Sequence, residues 1–171
     1  EAIPGHHLQV ALNLENEDLS LYRRFGYGTS AFSEGWALYA ERLSLEISLA
    51  KSPYDELGIL QSELFRAVRL VVDTGIHFKR WTREEAMKYM KEITGMSDTE
   101  VTTEIERYIV WPGQACSYKV GMLKILELRE KAKHSLGNSF DIRDFHSAIL
   151  EHGEPPLFIV EELVNQMIIQ K

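Results

Sequence analysis

Twice in the middle of the chain the sequence spells out the same helix start: Thr82 with Glu85, and Ser97 with Glu100. In such a capping box the hydroxyl accepts the N–H three residues on, and the carboxylate reaches back to the cap's own N–H. Gly95 follows the first start and Pro112-Gly113 the second, so helices are predicted over 82–94 and 97–110. Elsewhere apolar residues recur at spacings of three and four, and strand-like alternation is scarce. Further helices are predicted over 6–14, 33–49, 54–79, 114–133 and 141–151, with a last one from Pro155-Pro156 to Gln170. Residues 15–30 read as a polar, glycine-containing connection and 136–139 as a loop, while Pro53 stops the helix before it. Over 54–79 the apolar residues lie on several sides, which predicts a central buried helix. The fold class that follows is all-α. Residues 1–171 are expected to form a single helical domain of about seven to eight helices, without repeats or a dividing linker.

Composition narrows the function. A net charge of −7 with no basic stripe argues against a nucleic-acid surface. No apolar run approaches the roughly 20 residues needed to cross a bilayer. The single cysteine, Cys116, excludes an internal disulfide framework and a cysteine-rich zinc site, and reads as a small core residue. The chain starts at Glu1 with neither Met nor a leader, so it is expected to be the C-terminal part of a longer protein. Cytoplasmic and exported locations both stay open. Apolar surface exposed by such a truncation would favour self-association.

Four segments carry possible chemistry. The first is Glu1-Ala-Ile-Pro-Gly-His6-His7. Zinc peptidases of the zincin type place two histidines on one helix face, with a glutamate after the first as general base. Here that first histidine would precede residue 1, and removing Pro4-Gly5 would bring His6 to the usual one-turn distance. His7 competes for the ligand role, because on an ideal helix it points to the same side as the expected histidine. The rival reading is a solvated histidine pair.

Ser33-Glu34-Gly-Trp-Ala-Leu-Tyr-Ala-Glu41 is the second segment. Glu34 near a helix start suits a carboxylate favoured by the dipole, and equally a metal ligand drawn from a second helix. Gly35 would admit a neighbouring backbone, and Glu41 faces roughly as Glu34 does and could support it. Two solvated glutamates are the rival. The third segment is Glu63, Arg66, Arg69, Asp73 and His77 on one stripe of the 54–79 helix, with Arg69 placed to pair with Asp73 and Asp73 to orient His77. Its rival is a structural ion network. The fourth is 108–121, where Tyr118 follows the Pro112-Gly113 break; Tyr118 and His77 are candidates to stabilise an oxyanion. An ordinary core tyrosine is the alternative there. His134, His146 and His152 read as surface residues, and Ile142, Phe145, Ile149 and the run 157–169 as core.

Together these segments resemble the family called domain of unknown function 885, placed among gluzincin-like metallopeptidases. The match rests on Glu1-Ala-Ile-Pro-Gly-His-His-Leu-Gln9, Glu34-Gly-Trp-Ala-Leu-Tyr-Ala-Glu41, Asp73-Thr-Gly-Ile-His77 with Trp81, and Pro112-Gly-Gln-Ala115 with Tyr118 and Gly121. It continues through 140–146 and 161–164. The resemblance implies the C-terminal catalytic part of a larger helical metallopeptidase-like fold. It implies Glu1 as general base, His6 and Glu34 as zinc ligands, and His77 and Tyr118 as contacts to substrate or transition state. His7, Glu41, Arg69 and Asp73 would stand behind them. The departure is the histidine expected ahead of Glu1, without which this chain should bind zinc weakly and turn over little.

The implied reaction is zinc-assisted hydrolysis of a peptide bond, with zinc as cofactor and a peptide as substrate. Two other classes stay open: a non-catalytic helical module with a purely structural polar stripe, and a metal-dependent hydrolase of non-peptide amides or esters.

Overall fold

A computed structural model describes residues 3–26 and 28–171. Glu1, the expected general base, lies outside the described residues. Among the described residues the structure is all-helical and contains no strand. Nine α-helices follow one another: α1 (His6–Glu15), α2 (Leu21–Phe25), α3 (Ser30–Glu46), α4 (Pro53–His77), α5 (Arg83–Thr94), α6 (Asp98–Val110), α7 (Gln114–Leu136), α8 (Ile142–Leu150) and α9 (Leu157–Gln170). A 3-10 turn, Gly137–Ser139, joins α7 to α8. The helix beyond the expected number is α2, which sits inside the stretch read as a connection; Ser20 caps it by accepting the Arg23 N–H.

The predicted starts are built as the sequence spells them. Thr82 Oγ1 accepts the Glu85 N–H while Glu85 Oε2 accepts the Thr82 N–H at 2.7 Å. Ser97 and Glu100 repeat the arrangement, and Gly95 ends α5 in the left-handed conformation at φ 69°. A third box, Ser52 with Asp55, starts α4, with Pro53 at its first turn rather than only stopping the helix before it. All three box carboxylates are held below their ordinary values. In Asp55 the Lys51 N–H is the main cause, in Glu85 the Thr82 N–H, and in Glu100 the Ser97 hydroxyl. A depressed folded-state value contributes stability above the unfolded value and loses it as pH falls through the folded one. Helicity is therefore expected to decline on acidification below the ordinary values of 3.8 for Asp55 and 4.5 for Glu85 and Glu100. Circular dichroism against pH, with Glu100→Gln flattening part of the slope, checks this; an unchanged profile in that variant removes the box from the account.

The chain divides into two compact units, 1–40 with 121–171, and 41–120, and α3 and α7 contribute residues to both. In the first unit Phe32, Trp36 and Tyr39 of α3 are fully buried, as are Met122, Ile125 and Leu128 of α7, Phe145 and Ile149 of α8, and Val160 and Val164 of α9. In the second unit Val68 and Val72 of α4 pack with Ala86 and Met90 of α5, Val101, Ile105 and Tyr108 of α6, and Ala115.

Two expectations about burial are corrected. Helix α4 is not buried on all sides: Leu57, Leu60, Leu64 and Val71 are exposed, as is Phe78 just past its end, while Val68, Arg69, Val72 and Asp73 face inward. The outward residues recur at three, four and seven, so an apolar residue on several sides meant one packed face and one open one. The run 157–169 is not all core either, and helix α3 ends at Glu46, short of the predicted 49, which leaves Ile47 exposed. Phe158 and Ile169 of α9 are likewise exposed.

Candidate functional site

In the first unit the chain enters α1 through Ile3-Pro4-Gly5, a turn held to α3 by Trp36 Nε1 donating to the Pro4 carbonyl at 2.9 Å. Gly5 caps α1, which puts His6 and His7 in its first turn pointing apart. His7 is exposed; His6 is half-buried and lies against α3, its Nε2 3.4 Å from Glu34 Oε2. The opposite ring nitrogen, Nδ1, lies 3.1 Å from Gln9 Oε1. An amide oxygen only accepts, so Nδ1 carries the hydrogen and Nε2 presents its lone pair toward Glu34 in the neutral ring. Gln9 is itself buried, one turn further along α1. It escaped the sequence reading, although its spacing of three from His6 was a usable signal.

Glu34 is held in place by what flanks it. Gly35 lies against Gly121 of α7: a Cβ on Gly35 would come 2.5 Å from the Gly121 Cα, and one on Gly121 would come 1.8 Å from the Ala31 carbonyl oxygen. The neighbouring backbone that Gly35 was expected to admit is therefore α7. On the next turns Trp36 and Tyr39 meet His146 of α8, with ring centroids 5.3 and 5.6 Å apart and Tyr39 Oη 2.9 Å from His146 Nε2. His146 is thus a packed residue and not the surface one expected. Its partners come from a helix more than a hundred residues away, which no local spacing reveals.

A further carboxylate belongs to this neighbourhood. Glu154 rests against Gly28, where a Cβ would meet its Oε2 at 2.2 Å. Its carboxyl is held above the ordinary value first by burial and also by the charge of Glu34, with His6 opposing. Among the described residues no group of three or more His, Cys, Asp or Glu is placed to hold a metal ion. The donors that do meet are the two atoms of His6 and Glu34.

The second unit holds the α4 stripe. Glu41 accepts from Ser62 Oγ at 2.8 Å and pairs with Arg66 at 3.4 Å, and Arg66 also donates to Ser62. Glu63 takes Lys119 at 2.6 Å and Arg42 at 3.6 Å. The expected Arg69–Asp73 pair does not form. Asp73 instead accepts the Gly113 N–H with both oxygens, at 3.1 and 3.0 Å, and Arg69 donates to Gln114 Oε1 at 3.1 Å. The sharp turn at Gly113, φ 81°, brings these acceptors and donors to α4 and outcompetes the one-turn pair. His77 Nε2 sits 2.9 Å from the Tyr108 carbonyl and 4.0 Å from Asp73 Oδ1. A carbonyl only accepts, so Nε2 carries a hydrogen and the Tyr108 peptide oxygen takes it, with the Asp73 carboxylate standing beside the same nitrogen as its ion-pair partner.

Tyr118 has its ring under the Arg69 guanidinium at 4.2 Å, and its oxygen is 3.5 Å from Gln114 Nε2. Cys116, half-buried, has its thiol pushed up to about 11 by burial and by Asp73, which makes it a poor nucleophile at neutral pH.

Solved structures to which the chain is similar include two candidate lipoproteins. One is a candidate lipoprotein from Colwellia psychrerythraea, 52% identical with a TM-score of 0.97, matched over 100% of this chain and 29% of its own. The other is a candidate lipoprotein of unknown function from Shewanella oneidensis, 31% identical with a TM-score of 0.88, matched over 96% of this chain and 30% of its own. The chain therefore spans less than a third of the length of either. None of the curated proteins matches it. Residues 1–164 match the family described as bacterial protein of unknown function, DUF885, and the chain belongs to that family.

Proposed function

We propose that the chain carries part of the active site of a zinc-dependent, gluzincin-like peptide hydrolase. The observation that carries this reading is the 3.4 Å separation of His6 Nε2 and Glu34 Oε2. Tetrahedral zinc with bonds of about 2.0–2.1 Å separates neighbouring ligand atoms by about 3.3–3.4 Å, so the two donors already stand at the edge length of such a site. Gln9 adds support. Zinc-binding histidines characteristically donate their second N–H to an outer acceptor, which fixes the tautomer, and His6 does so.

Under this reading His6 and Glu34 would hold the ion together with a histidine ahead of Glu1, and Glu154 would stay outside the ligand set. A bound zinc ion supplies Lewis acidity and a water acidified to a pKa of about 7. Glu1 would be the base for a water so acidified and would carry its proton to the leaving amine. Gln9 keeps the His6 lone pair aimed, and the Gly35–Gly121 contact keeps Glu34 at its level on α3. His7, exposed on the other side of α1, has no part in it. The name given to the two longer relatives is consistent with an exported parent. No described helix is long and apolar enough to cross a membrane.

Zinc affinity tests the reading directly, measured against a chromophoric chelator on the chain extended upstream to include the expected histidine. His6→Ala and Glu34→Ala are expected to abolish stoichiometric binding. Gln9→Ala should weaken it about 10–100-fold, and His7→Ala should leave it unchanged. An extended chain that holds no zinc, or one in which His6→Ala and Glu34→Ala bind like the parent, sinks the proposal and leaves a helical module with a structural polar network.

A further inference from the structure

We propose that Arg69, Gln114 and Tyr118, all within the second unit, form a binding site for the carboxylate of a ligand. Arg69 is only 3% exposed, and its guanidinium lies among rings, 4.2 Å from the Tyr118 centroid and 5.5 Å from those of Phe65 and Tyr108. Rings attract the cation but do not neutralise it. The other cations along the stripe have carboxylates: Arg66 has Glu41, and Lys119 and Arg42 share Glu63. Asp73, one turn along α4, has turned both oxygens to the Gly113 N–H. Among the described residues Arg69 is left with one neutral acceptor, Gln114 Oε1, and its Nε is buried with none. A buried guanidinium, with five N–H donors, is seldom so poorly matched.

Gln114 also decides the state of Tyr118. With Oε1 turned to Arg69, its Nε2 faces the phenol oxygen, which accepts and so keeps its own hydrogen free to donate. A cation short of an anion and a phenol short of an acceptor thus flank one amide. Gln114 Oε1 stands where a ligand oxygen would stand. The side chain is only half-buried, and its contact to Tyr118, at 3.5 Å, is at the limit of a hydrogen bond. Swinging it aside opens the guanidinium and the phenol together. A carboxylate fits what is uncovered: its two coplanar oxygens match the guanidinium fork, and its charge meets a guanidinium whose one side-chain acceptor among the described residues is a neutral amide. The site stands on the second unit alone and does not depend on the zinc reading. Only the choice of a peptide's terminal carboxylate as probe rests on that reading.

The arginine Nε–H signals of the chain, followed by two-dimensional NMR, test it; the Arg69 signal is identified by its loss in Arg69→Lys. Acetyl-Ala-Ala with a free carboxylate is expected to shift that signal saturably, and the same peptide as its amide is expected not to. Gln114→Glu supplies the carboxylate internally, so it should weaken peptide binding at least about tenfold while keeping the fold, read by an unchanged or higher unfolding temperature. That variant keeps the test decisive even where Arg69→Lys fails to fold. Equal shifts from the two peptides, no saturable shift, or full binding by Gln114→Glu would overturn the proposal. Inorganic phosphate binding more tightly than the free peptide would overturn the carboxylate assignment.

Discussion

Gly121→Ala is expected to destabilise the chain by about 3 kcal/mol, the upper part of the range for overpacking a closed core. The new methyl group would lie 1.8 Å from the Ala31 carbonyl oxygen and 2.7 Å from the Gly35 Cα. Both neighbours are backbone, so no side chain can rotate out of the way and α3 and α7 must separate. For a protein of this size the unfolding temperature should fall by roughly 6–12 °C. Gly58, where an added Cβ meets nothing within 4 Å, is the control: Gly58→Ala replaces a mid-helix glycine of α4 and should raise stability slightly. Equal effects at the two positions would mean that the α3–α7 contact is not tight.

Glu1→Gln, in a form of the protein that supplies the histidine ahead of it, is expected to lower kcat about 10²–10⁴-fold, the contribution of a positioned general base. Zinc content should be unchanged, because the amide removes the base and leaves His6 and Glu34 in place. That combination separates the general-base role from a ligand role for Glu1. Turnover within a few-fold of the parent would remove Glu1 from the mechanism, and loss of zinc together with turnover would make it a ligand instead. Because Glu1 lies outside the described residues, this expectation is carried by the motif and by the geometry of the two partners that follow it.

Local signals in the sequence were enough for the helices and not for what faces what. The boxes at Thr82 and Ser97 and the stop at Gly95 form as read, because each is settled within four residues. Helix α2 went unseen, since five residues leave too short a run for a periodic pattern. The same limit governed the polar residues. Arg69 and Asp73 stand one turn apart and invite pairing, yet the Gly113–Gln114 turn, some forty residues on, supplies better partners for both. His146 looked solitary for the same reason. By contrast, Gly35 was legible as a close-approach site, although which backbone approaches it was not. At the candidate zinc site Glu34 was singled out by its place near a helix start and the histidine pair by its distance from Glu1, and the structure points only His6 at Glu34. Gln9 was overlooked because glutamine at a helix start ordinarily reads as surface.

His6 occupies the first turn of α1, where the backbone N–H groups have no partner within the helix and no capping side chain supplies one. That makes occupancy and local order a single linked equilibrium. Fraying of the turn would carry His6 away from both Gln9 and Glu34, so any ion held there must hold the turn as well. An ion present at a hundred times its dissociation constant would stabilise the ordered turn by about 2.7 kcal/mol. If zinc binds as proposed, exchange of the Gln9 N–H, which donates to the Gly5 carbonyl across that turn, would gauge metal concentration, and removing the metal would loosen the start of α1 before any other helix.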